Sequence, residues 1–387
     1  MKRSNAIDFA RGLVMIIMAL DHTRDLIHVS SIVQSPTNLA TTTPILFFTR
    51  WITHLCAPAF VFLSGTSAYL SFKKKNNAAE SKRFLLNRGI WLIILEFTIV
   101  NFGVWFDIHF RLLFFQVIAA IGFSFIILSL LLKKSISVIA ITGLIIIFSC
   151  NLLDYIPPGN ASLLRTIISP LFLLTGYTVT PNFTFFIGYP IIPWLGIMLV
   201  GFASGRLFEL PPEKRKSIFL RIGITTLALF TLLRLVNLYG DPSKWAIQKN
   251  DIFTFLSFIN VTKYPPSLLF SLITLGIMFL ILSLAERIKN IFTDIVIVYG
   301  KVPLFYYLIH WYIVHSILLI ILFSQGFHWH DLQFGAFNFG RPKQESGLPL
   351  WGVYIVWISI VIFMYPLCRW YGKYKQAHPE KKRLRYL

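Results

Sequence analysis

Apolar residues run along this chain in blocks of about twenty, the length a helix needs to cross a hydrocarbon core about 30 Å thick. Ten such blocks stand out, at 6–29, 45–72, 84–106, 110–132, 135–153, 186–208, 217–239, 267–285, 295–323 and 349–371. They are separated by short polar stretches, with none long enough to form a separate soluble unit. The pattern predicts an all-α polytopic membrane protein, a single domain over 1–387 with about ten transmembrane helices. Two connections exceed what a turn requires, 154–185 and 324–348. The first contains the apolar run Leu163 to Leu174, readable as an interfacial or re-entrant helix. The second, rich in Phe, Gly and His, offers either an aromatic wall for a carbohydrate or lipid, or a loop seated among headgroups. Pro190 and Pro193 predict a kink in the sixth block. Gly201 and Gly205 permit close approach of a neighbouring helix. Gly300 and Pro303 mark a late start or break in the ninth.

Composition agrees with the pattern: 56% of residues are hydrophobic, 13% are charged and mean hydropathy is +0.69. The net charge of +20 is not a nucleic-acid signature. Lys and Arg concentrate in the N-terminus, the 73–83, 133–134, 206–216 and 286–290 connections and the basic tail 372–387. This bias places both termini in the cytoplasm and both long loops outside. Met1-Lys2-Arg3 leads into a charged span rather than a cleavable signal. Cys56, Cys150 and Cys368 fall in or beside apolar blocks without a spacing that suggests disulfides or zinc, and no metal is expected.

The first block departs from this economy of charge. It carries Asp8, Arg11, Asp21, His22, Arg24 and Asp25, although one Asp or Arg at mid-membrane costs about 2.5–3.5 kcal/mol. Such groups persist where they face a protein interior or a wet cavity. Asp8, Arg11, Met15, Met18, His22 and Asp25 recur at steps of three and four and form one helical stripe. Arg11 and His22 lie about 17 Å apart at 1.5 Å per residue, comparable with an extended pantetheine arm. His22 is the natural general base, with Asp25 one turn away or Asp21 to orient it. Asp21 points elsewhere around the helix, toward Arg24 or, through water, Asp25. Further polar groups inside spans are Arg50 and His54, Glu96 and Asn101, Gln116, Arg234, Tyr306 with His310, and His315. Arg50 with His54, and Tyr306 with His310, are each spaced four apart on one face.

Three blocks carry a family likeness: Ala6-Ile-Asp-Phe-Ala-Arg-Gly12 with Met18-Ala-Leu-Asp-His-Thr-Arg-Asp25, Lys263-Tyr-Pro-Pro-Ser-Leu-Leu-Phe270, and Gly300-Lys-Val-Pro-Leu-Phe-Tyr-Tyr-Leu-Ile-His310. Together they resemble a bacterial family related to the heparan-alpha-glucosaminide N-acetyltransferase catalytic domain, and the spacing from Arg-Gly to His in the first block resembles the membrane acyltransferase-3 proteins. The resemblance implies acyl-CoA, with acetyl-CoA the expected donor, entering from the cytoplasm and modifying a sugar or envelope-glycan acceptor outside. It maps histidine-centred chemistry onto His22. The related lysosomal enzyme carries Asn at the place of His22 and its implicated histidine farther along, which makes His28 a rival.

The expectation is therefore an acyltransferase in a bacterial inner membrane. Its catalytic residues would be His22 with Asp25 and Asp21, or His28; Arg11, Lys301 and Arg88 would hold the CoA phosphates, because cations suit phosphate. Arg24, Arg50, His54, His310 and Tyr306 would line the acceptor side. Membrane lipid is a further partner, and a homo-oligomer is compatible with the pattern. A transporter or flippase of a polar metabolite or lipid headgroup is the competing class, since intramembrane Asp and His serve proton coupling equally well.

Overall fold

A computed structural model of the protein describes residues 4–155, 163–286, 288–335, 337–381 and 384. Part of the first long loop (156–162) and most of the end of the tail (382–383 and 385–387) lie outside the described residues. Among the described residues, eight helical stretches are long and apolar enough to cross a membrane. α1 (Asn5–Ile27) is of similar length but charged, and the fourth block yields a shorter helix.

α2 (Pro44–Trp51) passes through a 3-10 turn into α3 (Cys56–Lys75). α4 (Ala78–Leu95), a π-helical turn at Glu96–Val100 and α5 (Asn101–Trp105) form the next crossing. The block expected to be helical from 110 begins instead as a strand, β1 (Leu112–Phe115), and becomes helical only at α6 (Val117–Leu131). Leu-Leu-Phe-Phe is equally apolar in either conformation, so hydropathy alone carries no sign of the change. Two polar groups of the preceding crossing decide it. Asn101 Nδ2 donates to the Leu112 carbonyl at 2.9 Å and its Oδ1 accepts from Phe114 N at 3.1 Å. Glu96 Oε2 accepts from Ala119 N at 2.9 Å in the first turn of α6. Irregular backbone is tolerated at such depth because its polar groups are satisfied within the protein.

α7 (Ile136–Ser149) and α8 (Leu163–Phe172) lead to β2 (Thr175–Thr180) and β3 (Phe183–Ile187). β3 lies between β1, parallel to it, and β2, antiparallel. α9 (Ile191–Ser204) starts directly after Pro190, which puts Pro193 in its first turn. There the missing N–H has no intrahelical partner to lose, so the prolines set the start of the helix instead of bending it. α10 (Pro212–Val236), α11 (Asp251–Ile259) and α12 (Leu268–Ala285) follow. The ninth block breaks at Val302, as Gly300 and Pro303 predict, into α13 (Ile291–Lys301) and α14 (Pro303–Ser324). α15 (Leu350–Ala377) runs past its expected end at 371, where Tyr371 stacks on Phe305 at 4.3 Å.

α1 packs against α3, α12, α13, α14 and α15, so its charged stripe faces protein on most sides. Glycines set the closest approaches. A methyl group on Gly12 would overlap the Val296 carbonyl, and one on Gly300 would overlap the Asp8 carbonyl. The Arg-Gly and Gly-Lys pairs of two distant sequence blocks thus meet backbone to backbone. Gly201 sits equally close to Phe62 of α3, and the Thr66 hydroxyl donates to the Gly201 carbonyl at 2.9 Å.

Part of the aromatic cluster in 324–348, read as a wall or as a loop among headgroups, packs against the body of the protein without being fully buried. Phe339 stacks on Trp105 at 4.5 Å, and Phe337 meets Phe114 and Phe186 of the small sheet. Trp329, 65% exposed, projects from that loop.

Candidate functional site

His22 does not rest on a carboxylate. Its Nδ1 lies 2.6 Å from Nε2 of His310 on α14. His310 Nδ1 lies 3.1 Å from the Tyr306 carbonyl, one turn back along the same helix. A carbonyl only accepts, which assigns protons along the chain. His310 donates from Nδ1 to Tyr306, its Nε2 accepts from His22 Nδ1–H, and the lone pair of His22 resides on Nε2. The His22 ring is held flat against Trp311, 3.8 Å between centroids and 19° from parallel. The edge of Tyr307 approaches it at 6.4 Å. Nothing in the sequence alone singles out Trp311 and Tyr307, although both follow from the period of α14 once His310 is known to face α1.

The carboxylates expected to orient His22 are engaged elsewhere. Arg24 Nη2 bridges Asp21 at 2.8 Å and Asp25 at 2.6 Å. Arg50 adds a contact to Asp21 at 3.5 Å and donates to Thr53 Oγ1 at 2.7 Å. Guanidinium is the stronger competitor, because a charge-assisted bond in a low-dielectric interior outweighs a neutral imidazole N–H donor. Asp21 pairing with Arg24 is the alternative that helical geometry favours. The electrostatic group Asp21, Arg24, Asp25 and Arg50 therefore lies beside His22 with no hydrogen bond to its ring among the described residues.

A cavity of about 300 Å³ opens at the other end of α1. Arg11, Arg88, Lys301 and Lys375 line it, so the three residues expected to hold CoA phosphates share one enclosure, joined by a fourth cation. Lys375 belongs to the part of α15 beyond the last apolar block, where hydropathy no longer marks a helix. Deeper in, the walls are Met15, Phe60, Val117, Ile118, Leu304 and Tyr307, with Ser64, Ser67 and Ser71 along α3. Tyr307 belongs to both places, forming a wall of the cavity and packing against His22. Arg11 donates to the Leu63 carbonyl at 3.0 Å and to the Ser67 hydroxyl, which fixes it across the α1–α3 seam.

His28 is buried at the end of α1, six residues or about 9 Å along the axis from His22. Its ring pairs with Ser30 at 3.0 Å, and its carbonyl accepts from Arg341 at 2.8 Å. These bonds tie the end of α1 to 341–348 and keep His28 out of the His22 group. Tyr306, expected to line the acceptor side, is fully buried behind His310, between it and Tyr299. Its neighbour Tyr307 lines the cavity instead. His54 is buried against Phe270 at 5.4 Å, near the Arg50 group. His315 lies apart from His310, stacked on Phe106 at 3.9 Å.

The heparan-alpha-glucosaminide N-acetyltransferase catalytic family model matches residues 3–240. No curated protein matches the chain. The chain belongs to that family, an integral membrane protein of the acetyltransferase type.

Proposed function

We propose that this family member transfers an acetyl group from cytoplasmic acetyl-CoA to a hydroxyl or amine of a sugar or cell-envelope acceptor on the opposite side of the membrane. One continuity carries the proposal: the cavity that gathers Arg11, Arg88, Lys301 and Lys375 reaches Tyr307, and Tyr307 meets the ring of His22. The cations suit CoA phosphates at the mouth. A volume of about 300 Å³ is at the low end for ligand pockets. It suits a pantetheine arm laid along the serine stripe of α3, with the nucleotide resting among the cations.

His22 would act as general base through Nε2, the nitrogen left unprotonated when Nδ1–H donates to His310, whose own Nδ1–H donates to the Tyr306 carbonyl. The acceptor oxygen or nitrogen attacks the thioester carbonyl while its proton passes to Nε2. The new C–O or C–N bond forms, the C–S bond breaks, and the departing CoA thiolate takes the proton back from the imidazolium. His310 is a positioning residue, because it holds the tautomer and plane of His22. The face of Trp311, 3.8 Å away, favours the cationic ring that forms during attack.

The test is transfer of radiolabelled acetyl from acetyl-CoA to a panel of sugars by the purified full chain in proteoliposomes. His22→Ala is expected to lower the rate by about 10²-fold or more. Full transfer by that variant would remove His22 from the chemistry. Uptake of a sugar or lipid headgroup without acyl-CoA would instead favour the transporter class.

A further inference from the structure

Beyond His22, on the side away from the cavity mouth, the charges gathered around Arg24 and Arg50 do not balance. Arg24 and Arg50 are matched by Asp21 and Asp25. Lys263 remains. Its residue is only 7% exposed, yet among the described residues no ion pair or hydrogen bond reaches its ammonium, whose neighbour is the face of Tyr264 at 4.8 Å. It lies within electrostatic reach of Asp21, His22 and His54. His54, 4% exposed, adds a ring nitrogen, Nδ1, with no partner among the described residues. Tyr189 and Tyr264 close the group through their hydroxyls, 3.2 Å apart.

A lysine so largely enclosed is costly to keep charged without an anion, and the fold holds this one firmly. Asp241 accepts from Thr262 N at 2.8 Å and from Ser267 Oγ at 2.6 Å, on both sides of Lys263. Arg234, 1% exposed, donates to the carbonyls of Ser257, Phe258, Asn260 and Ser243. The connection between α10 and α12 is thereby pinned over the group. The approach is open where the Asp25 side chain is 44% exposed and Tyr264 is 36% exposed.

We propose that Lys263, with Arg50 and His54, forms an anion subsite that holds a phosphate, carboxylate or sulfate group carried by the acceptor. Naming the bound molecule the acceptor rests on the acetyl-transfer reading above. The Lys263-Tyr-Pro-Pro block thereby acquires a chemical role, placing an acidic sugar or an acidic lipid headgroup so that its neutral nucleophile lies toward His22.

Calorimetry on the purified full chain without acyl-CoA tests this, using glucosamine, glucosamine 6-phosphate, glucuronic acid and short-chain phosphatidylglycerol. An acidic ligand is expected to bind at least about tenfold more tightly than glucosamine, the scale of one charge-assisted hydrogen bond. Lys263→Gln should abolish that preference and Lys263→Arg should restore most of it, with all three proteins first shown monodisperse and equally stable. Preference for the phosphorylated or carboxylated sugar assigns a soluble or glycan source. Preference for phosphatidylglycerol assigns a lipid headgroup. Equal binding of glucosamine and the acidic ligands, an acidic preference that survives Lys263→Gln, or failure of Lys263→Arg to restore it overturns the subsite. Because no acyl donor is present, loss of acetyl transfer with Lys263-dependent anion binding intact would sink the reaction and leave the subsite standing.

Discussion

His22 and His310, separated by 288 residues of sequence, are joined nitrogen to nitrogen at 2.6 Å. Removing the acceptor should free the His22 ring without deleting the base. His310→Ala is expected to reduce kcat by about tenfold to a hundredfold while leaving KM for acetyl-CoA near its wild-type value, a loss no larger than the lower end of the general-base range because the base itself stays in place. His310→Gln offers an amide oxygen to Nδ1–H and should retain more activity than His310→Ala. Equal losses in the two variants would show that the hydrogen bond to Nδ1 is not what matters.

The four cations of the cavity should act on the nucleotide end of the donor. Arg88→Ala, Lys301→Ala and Lys375→Ala are each expected to raise the Kd for CoA by about tenfold, the scale of a charge-assisted contact to phosphate. Binding of acetyl-pantetheine, which lacks the nucleotide phosphates, should be unchanged. Titration with both ligands checks this, and parallel losses for the two would place the cations elsewhere than at the phosphates.

Gly12 and Gly300 are expected to resist any side chain. Gly12→Val or Gly300→Val must separate α1 from α13, at a cost of about 1–3 kcal/mol for overpacking. Thermal unfolding in detergent should show a clearly lowered Tm for either variant. Because Arg11 and Lys301 are adjacent to these glycines, CoA affinity should fall as well.

Arg234 should behave as a clamp for the connection above the site. Arg234→Met leaves buried carbonyls without donors, each worth about 1–3 kcal/mol. Hydrogen exchange is expected to accelerate across residues 243–262 and to remain unchanged in α1 and α14. Uniform acceleration would instead indicate global destabilisation, and unchanged exchange would mean the carbonyls find other donors.

Some parts of this site are legible in the sequence and others are hidden. Arg11, Arg88 and Lys301 can be grouped in advance because each lies near the end of an apolar block that the charge bias assigns to the cytoplasm, and the fold gathers them around one cavity. Lys375 cannot, because it lies past the end of its apolar block, on a helical turn that hydropathy does not mark. One-turn spacing pairs Asp25 with His22, but Arg24, adjacent in sequence and buried at 2% exposure, competes for it successfully. Tyr306 and Tyr307 illustrate the same limit. Adjacent aromatic residues on a helix look alike in sequence, and only the position of α1 decides that Tyr307 faces the cavity.

The sequence by itself determined the membrane class, nearly all of the crossings and the concentration of chemistry in the first of them. These follow from local quantities: the length of an apolar run against the bilayer, and the cost of charge within it. The tertiary structure alone decided which group holds His22, which cation Asp25 neutralises and which lysine is left without an anion. Each of those outcomes depends on distances between segments far apart in the chain, set by close backbone contacts such as Gly12 with Val296 and Gly300 with Asp8, and helical periodicity cannot report them.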